Sequence, residues 1–161
     1  MKTLKLALSI SILALVTACG GGGKDSEKSN STEAPKSMVG DPETYDPKRG
    51  EGKWTAENVS VGASLDAAMA TAGENIANVK CTSCHKMTEE KLVGPGWKGI
   101  TTRKKPEWIM NFITNPDPMI EKDPEVQAML ELCLVRMPNQ NLSDDDARHI
   151  VEFMRKIDGV K

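Results

Sequence analysis

From about residue 64 onward, apolar positions recur every three or four residues, which is the spacing of one face of an α-helix. Four helices are predicted, and they begin after Ser64, at Pro106, at Pro124 and after Ser143. Serine at an N-cap and proline in the first turn both favour helix initiation. The pair Asn115–Pro116 is expected to stop the second of these helices. Because no stretch alternates strongly enough to predict a strand, the sequence predicts an all-α fold.

A separate apolar run lies at the start of the chain, where residues 6–16 follow two lysines. The run is too short to span a membrane and ends in small residues, as export signals do, so residues 1–18 are predicted to be a signal peptide. The junction LVTAC at residues 15–19 resembles the lipobox of bacterial lipoproteins, in which the new amino-terminal cysteine is acylated. That resemblance predicts a lipid on Cys19. The alternative is an ordinary signal peptide cut near Ala18, which leaves Cys19 free.

Residues 19–53 form a distinct segment, rich in glycine, serine and charged residues and punctuated by prolines. Such a stretch cannot bury enough apolar surface to offset the entropy lost on ordering, so it is predicted to be a flexible linker. A linker of this length would let a small domain move roughly 30 Å from a membrane surface. The remaining residues, 54–161, have the length of one domain with its own core.

The charge balance argues against a nucleic-acid-binding protein. The chain has 21 Lys and Arg residues against 23 Asp and Glu residues, a formal net charge of −2, whereas nucleic-acid binding requires a strongly basic face. A basic run within residues 98–105 and acidic clusters at 117–131 and 144–146 are interpreted as solvated surface. Docking of a partner is the alternative for the basic run.

The strongest chemical signal is the motif CTSCH at residues 81–85. Cys81 and Cys84 lie on one helical turn, so both thiols point the same way and each can add to one vinyl group of a haem. His85 is then carried beneath the iron as its proximal ligand. A zinc site would need a second ligand pair, and a thioredoxin-type pair a βαβ setting, yet downstream there are only Cys133 and His149, far apart. The motif therefore predicts one covalently attached haem c.

The fourth cysteine, Cys133, is left over once Cys19 is acylated and Cys81 and Cys84 hold haem. A free cysteine in an exported protein is either a small buried apolar side chain or a thiol with a redox role. We expect burial of Cys133, with the redox role as the alternative.

The haem motif, the Gly-Pro that follows it, the Met-Pro loop and the amphipathic last helix together resemble the class I c-type cytochromes over residues 64–158. The resemblance implies a class I cytochrome c fold, in which the first and last helices cross with Gly73 against Phe153. It also implies that the carbonyl of Pro95 accepts a hydrogen bond from His85 and fixes the orientation of its ring. The family usually has an aromatic residue where this chain has Ala77, so that part of the crossing is expected to pack differently.

The sixth iron ligand decides between an electron carrier and an enzyme. A methionine closes the site and raises the reduction potential, whereas an empty position admits a gas or peroxide. Met137 precedes the last helix, where the family has its axial methionine, and Pro138 stiffens that loop. Met119 is the competitor, because it is also expected on a loop, between one helix and an acidic one. His149 flanks the apolar stripe of its helix and is expected at the surface.

With a lipid on Cys19, the resemblance implies a membrane-tethered electron carrier with haem c, exported to the periplasmic side and anchored in the inner or outer membrane. Its partners would be a cytochrome or quinol-oxidising complex as donor and a terminal reductase or oxidase as acceptor. Segments 94–100, 105–111 and 134–142 are similar to small cytochromes found with nitrous oxide reductase systems. The alternative is a haem enzyme or gas sensor with an open sixth position, for which Arg136 would be the distal polar residue.

Overall fold

A computed structural model describes residues 45–161. This part of the chain contains six helices and no strand, which confirms the predicted all-α fold. The helices are α1 (Ala67–Lys80), α2 (Ile100–Arg103), α3 (Pro106–Thr114), α4 (Pro116–Lys122), α5 (Pro124–Cys133) and α6 (Asp144–Ile157). Within residues 45–161, no helix is both long and apolar enough to cross a membrane. The predicted signal peptide, the predicted lipid site at Cys19 and residues 19–44 of the predicted linker lie outside the described residues.

Helices α1 and α6 cross at Gly73. A Cβ atom on Gly73 would lie 2.1 Å from the carbonyl oxygen of His149 and 2.9 Å from the backbone nitrogen of Ile150. The close approach therefore falls on the backbone at His149 and Ile150, about one turn before Phe153, which was the expected neighbour. Phe153 packs edge-on against Trp97, with ring centroids 6.4 Å apart. Only a residue without a side chain allows the two helices to approach this closely.

The start of α6 agrees with its predicted N-cap. The hydroxyl of Ser143 accepts a hydrogen bond from the backbone nitrogen of Asp146 at 3.1 Å, and the side chain of Asp146 accepts one from the backbone of Ser143 at 3.4 Å. This capping box satisfies two backbone donors that the helix itself cannot satisfy. It sets the point at which the chain leaves the loop around Met137 and enters α6.

The predicted N-cap of α1 was two residues too early. Asp66, and not Ser64, holds the N-cap position, and its carboxylate accepts a hydrogen bond from the backbone nitrogen of Met69 at 2.9 Å. Both residue types are good N-caps, so the sequence pattern alone does not choose between them. The helix then runs directly into the haem motif, because Cys81 is its C-cap.

The expected loop after Asn115–Pro116 is a helix. Asn115 ends α3 and is also the N-cap of α4, and Pro116 occupies the first turn of α4. The proline does stop α3, but it also favours the start of a new helix, where its missing N–H costs nothing. Met119 is therefore on α4, and its side chain is fully buried.

Residues 45–54, which we name the strap, pack against the helices although most of them were assigned to the linker. Asn111 holds the strap at three points: its side-chain nitrogen donates to the carbonyls of Arg49 and Trp54, each at 3.0 Å, and its side-chain oxygen accepts from the backbone nitrogen of Trp54 at 2.9 Å. Asn111 is only 1% exposed. Part of the predicted linker, residues 45–53, therefore packs against the helices.

The strap contains a tyrosine whose ionisation is opposed by its surroundings. Burial raises the pKa of Tyr45 well above its ordinary value, and the hydrogen bond to Asp123 and the negative charges of Asp123, Glu51 and Asp46 raise it further. The folded-state pKa is therefore higher than the unfolded value of about 10, so the contribution of Tyr45 to stability is complete below about pH 10 and falls at higher pH.

We expect the difference in free energy of unfolding between the wild type and Tyr45→Phe to be constant from neutral pH to about pH 10 and to shrink above it. Urea titrations at several pH values would measure it. A difference that stays constant well above pH 10 would contradict the hydrogen bond between Tyr45 and Asp123.

Candidate haem site

The haem motif forms a tight turn at the end of α1. The backbone nitrogen of Cys81 donates to Ala77 at 2.8 Å, and those of Cys84 and His85 both donate to the carbonyl of Cys81, at 3.0 and 2.9 Å. The turn brings both thiols and the imidazole to the wall of a single cavity. Burial raises the pKa of the free Cys81 thiol to about 11. The three residues predicted to attach and ligate haem are thus together on one surface.

The cavity has a volume of about 410 Å³, within the usual range for small-molecule sites. Its walls are mainly apolar and come from α3, α5, α6 and the loops beside the motif. The inner wall includes Ile109, Phe112, Ile113, Leu130, Ile150 and Met154. Among residues 45–161 no group of three or more His, Cys, Asp or Glu side chains is arranged to hold a metal ion directly. An apolar cavity with two thiols and one imidazole on its edge suits a haem and not a protein-ligated zinc ion.

The imidazole of His85 is held by the loop that follows the motif. Its Nδ1 atom lies 2.8 Å from the carbonyl oxygen of Pro95, the contact that the family resemblance implies. Because a carbonyl can only accept, Nδ1 carries the proton and Nε2 keeps a free lone pair for a metal. Burial lowers the pKa of His85, while the hydrogen bond to Pro95 acts in the opposite direction. The ring is thus neutral and oriented before any ligand binds.

Gly94 lies directly against this imidazole. Its backbone nitrogen donates to Cys84 at 2.8 Å, and a Cβ atom added to it would lie 2.4 Å from Cε1 and 2.9 Å from Nδ1 of His85. There is no space for a methyl group unless the ring or the loop moves. The glycine therefore fixes how closely the Pro95 loop can approach His85.

We expect Gly94→Ala to displace the His85 ring and to reduce the yield of protein with a correctly ligated haem severalfold, since overpacking of this kind costs about 1–3 kcal/mol. The matched control is Gly62→Ala, because a Cβ atom there would meet its nearest neighbour at 3.4 Å. Haem content and the absorption spectrum of the two purified variants would measure the effect. Equal haem content and identical spectra would contradict the packing described here.

The structure separates the two methionines proposed as sixth ligand. Met137 is half-buried and lies on the cavity wall between Arg136 and Pro138. Met119 is fully buried on α4 and is not part of the wall; a Cβ atom on Gly50 of the strap would lie 2.6 Å from its terminal methyl group. Two other methionines that the sequence interpretation did not consider, on α5 and α6, also reach the wall, namely Met129 and Met154. Of the three methionines on the wall, Met137 alone is on a loop.

The Met137 loop is the segment between α5 and α6, residues 134–143, and neighbouring elements hold it at several points. Arg136 pairs with Asp117 of α4 at 3.0 Å and with Glu121 at 3.5 Å. Lys80, at the end of α1, donates to the carbonyl of Gln140 at 2.9 Å. The loop therefore has a defined position relative to both the haem motif and α4.

The remaining candidates have less specific surroundings. Cys133 is half-buried at the end of α5 and lies on the cavity wall, so the expected burial is incomplete. His149 is half-buried and is not on the wall. Both residues are on helices, whereas Met137 is on a loop that neighbouring elements hold.

A basic residue missed by the sequence interpretation lies at the cavity. Lys104, part of the run assigned to solvated surface, has a side chain only 11% exposed, pairs with Glu125, and places its ammonium 4.2 Å from the ring centroid of Trp108. Lys104 and Trp108 both line the cavity. The only signal in the sequence was the charge itself, since the burial comes from packing between α3 and α5.

The chain is similar to known proteins over most of the described part. A family model described as Cytochrome c matches residues 70–158. A cytochrome c from Rhodothermus marinus shares 34% sequence identity with a TM-score of 0.63, over 73% of this chain and 97% of that one. An engineered form of that cytochrome shares 33% identity with a TM-score of 0.62, over 73% and 98% of the two chains. The same form bound to a carbene intermediate shares 33% identity with a TM-score of 0.59. No curated protein sequence matches at a significant level.

The family match includes the haem motif, the Pro95 loop and the Met137 loop. Cytochromes c carry covalently attached haem c with its iron, and the cavity beside Cys81, Cys84 and His85 has the size and apolar character for that cofactor. The helical architecture agrees with the same conclusion. This chain belongs to the cytochrome c family.

Proposed function

We propose that this protein is a monohaem electron carrier, tethered by lipid on Cys19, that passes single electrons to a periplasmic terminal reductase or oxidase. One observation carries the proposal: the haem motif and the Met137 loop meet on one apolar cavity. Haem c supplies one-electron chemistry when bound, and its potential depends on the axial ligands. The residues of this chain hold, orient and shield it.

His85 and Met137 are the residues that would hold the haem iron in this proposal. The Nε2 atom of His85 carries no proton and can bind a metal, because Nδ1 carries the proton and donates a hydrogen bond to the carbonyl of Pro95. Met137 offers a thioether, a soft and neutral ligand that favours the ferrous state and raises the potential. If both residues bind the iron, the site would leave no place for a substrate and would support electron exchange alone.

The apolar walls support the same proposal. Side chains such as Ile109, Ile113 and Ile150 are at most 6% exposed and would shield a bound haem from water on this side. A dry and closely packed site stays nearly unchanged between two charge states, because packed interiors deform little. That property suits rapid electron exchange.

The cavity rim offers a surface for transient docking. Val79, Met129 and Val135 all line the cavity, yet they are 83%, 37% and 53% exposed. Charged groups beside the rim are paired within the chain, as Arg136 is with Asp117 and Lys104 with Glu125. A small apolar contact of this kind fits the weak and short-lived complexes of redox proteins.

The partner and the location complete the proposal. The donor is a cytochrome or quinol-oxidising complex, and the similarity of three segments to cytochromes of nitrous oxide reductase systems makes that reductase the first acceptor to test. Lipid on Cys19 would keep the domain on the periplasmic side of the inner or outer membrane.

A reductive titration with absorbance detection tests the electron-carrier function. We expect a single haem transition that follows a one-electron Nernst curve. We also expect reoxidation of the ferrous protein within seconds by purified nitrous oxide reductase supplied with nitrous oxide. If that enzyme does not reoxidise the protein and a terminal oxidase does so rapidly, the acceptor is an oxidase and not nitrous oxide reductase. The absence of any reversible haem transition would contradict the function itself.

Membrane fractionation tests the tether. We expect the wild type in the membrane fraction and Cys19→Ser in the soluble fraction, because the acylated cysteine is the proposed anchor. Cys133→Ser is the matched control and should fractionate as the wild type does. Equal fractionation of Cys19→Ser and the wild type would contradict lipid attachment at Cys19.

The alternative, a haem enzyme or gas sensor, would require the sixth position to be open. The engineered cytochrome that holds a carbene intermediate gives a specific reason to consider it. In this chain, however, Arg136 pairs with two carboxylates of α4, which draws it away from a distal catalytic role.

A further inference from the structure

Helix α4 lies between the strap and the Met137 loop. On one side it contacts the strap through Met119, and on the other it holds the loop through Asp117 and Glu121. Neither the family resemblance nor the electron-carrier proposal assigns a role to this arrangement. The inference below rests on the proposed ligation of iron by Met137.

The contacts between the strap and α4 are close. Gly50 has a φ of 75°, and a Cβ atom there would lie 2.6 Å from the Met119 methyl carbon and 2.8 Å from its sulfur. Met119 is fully buried. The strap therefore covers one side of α4 and removes the freedom of the helix to move in that direction.

A second contact reaches the end of α3. The indole Nε1 of Trp54 donates to the hydroxyl of Thr114 at 3.3 Å, and the carbonyl of Thr114 accepts from the side chain of Asn139 at 3.2 Å. Asn139 follows Met137 by two residues. Thr114 is thus bonded to the strap and to the Met137 loop at the same time.

The loop is held on both sides of Met137. Arg136, just before it, bonds to Asp117 through Nε at 3.1 Å and through Nη2 at 3.0 Å. Asn139, just after it, bonds to Thr114. Both anchors are on the α3–α4 corner, the part of the domain on which the strap packs.

The first residue of the strap has its own buried anchor. Tyr45 donates to the carboxylate of Asp123, which is 1% exposed and also accepts from the indole of Trp108 at 3.0 Å. The same carboxylate caps α5 by accepting from the backbone nitrogens of Glu125 and Val126. The strap is therefore attached at Tyr45, at Gly50 and at Trp54.

We propose that the strap positions the sixth ligand: by holding α4 and the end of α3, it keeps the Met137 loop closed over the cavity. Loss of the strap contacts leaves His85 and the haem attachment unchanged, because these are fixed by α1 and the Pro95 loop. It increases the rate at which Met137 leaves the iron. Tyr45 and Trp54 are positioning residues in this sense.

The test compares strap variants in the ferric holoprotein. The double variant Tyr45→Phe/Trp54→Phe removes two side-chain hydrogen bonds and keeps an aromatic ring at each position. The readout is the rate at which saturating imidazole displaces the far-red methionine-to-iron band, since this rate reports departure of the methionine. We expect an increase of at least about fivefold, because the double variant loses one neutral hydrogen bond, to Thr114, and one hydrogen bond to the carboxylate of Asp123. Arg136→Gln, which loosens the loop from the other side, should act in the same direction.

The matched control is Lys48→Gln. Lys48 is also in the strap, but it is exposed, whereas the ammonium of Lys53 lies 4.8 Å from the centroid of the Trp54 ring, which excludes Lys53 as a control. We expect the wild-type rate for this variant. If the double variant fails to fold, Trp54→Phe alone removes the bond to Thr114 and should still give a faster rate.

Two results would overturn the proposal: a wild-type rate in the double variant and in Trp54→Phe, or an equal increase in Lys48→Gln. A urea titration distinguishes the proposal from a purely structural role of the strap. In that case the strap variants would lose stability, but the rate of displacement by imidazole would not change. Failure of the electron-carrier proposal has a different signature, because the wild type itself would then lack the methionine band.

Discussion

Replacing Met137 by alanine should leave the haem covalently attached, abolish the methionine-to-iron band and lower the reduction potential. The thioether bonds would involve Cys81 and Cys84 and not Met137, so attachment does not depend on Met137. Loss of a neutral soft ligand removes the group that favours ferrous iron. The choice of axial ligands changes the reduction potential of haem proteins over a range of roughly 0.8 V. We expect the reduction potential of the variant to fall by a substantial part of that range.

Met119→Ala is the matched control for this variant. Met119 is fully buried beneath the strap, so its truncation should cost about 2–5 kcal/mol of stability. The methionine band should remain, because Met119 is absent from the cavity wall. Spectra and spectroelectrochemical titrations of the two variants would measure both effects. Loss of the band in Met119→Ala alone would overturn the assignment of Met137.

Replacing Gly73 by alanine should destabilise the whole domain. In an exposed helical position this substitution favours folding by about 1 kcal/mol, but here the new methyl group would lie 2.1 Å from the carbonyl oxygen of His149. The clash is with backbone, which no change of rotamer relieves. Helices α1 and α6 would have to move apart. We expect the free energy of unfolding to fall by about 1–3 kcal/mol, the usual cost of overpacking.

The control is Asn75→Ala, at an exposed position two residues further along α1. This substitution raises helix propensity without a new contact and should be neutral or slightly stabilising. Denaturant titrations of the holoproteins would compare the two variants. A Gly73→Ala protein as stable as the wild type would show that the helices do not cross at this residue.

The helices were largely predictable because their signals are local. Pro106 and Pro124 begin helices as expected, and Ser143 caps the last one. The errors have local causes too. Asp66 and Ser64 are both adequate N-caps, and Asn115–Pro116 can end one helix and begin another without a loop between them.

The strap could not be predicted from such signals. Tyr45 and its partner Asp123 are 78 residues apart, and Trp54 and Thr114 are 60 residues apart. The composition of the linker favours disorder, and the strap differs from it only by a few side chains. These side chains bind to surfaces that form only when helices far away in the sequence pack together.

The haem site was also predictable only in the part that depends on residues close together in the sequence. The contact between His85 and Pro95 lies within ten residues and follows from a motif. The choice between Met137 and Met119 depends on which side of α4 faces the cavity, and this is a property of the tertiary packing. Lys104 was missed for a similar reason, since its burial against Trp108 and Glu125 joins two helices.

The central claim is that the sixth position is closed by a protein ligand, so that the iron exchanges electrons and does not bind substrates. Carbon monoxide added to the untreated ferrous wild type tests it most directly, because this gas binds ferrous haem only where a coordination position is free. We predict an unchanged spectrum over minutes at neutral pH, with binding in Met137→Ala. Rapid and complete carbon monoxide binding by the wild type would contradict the account.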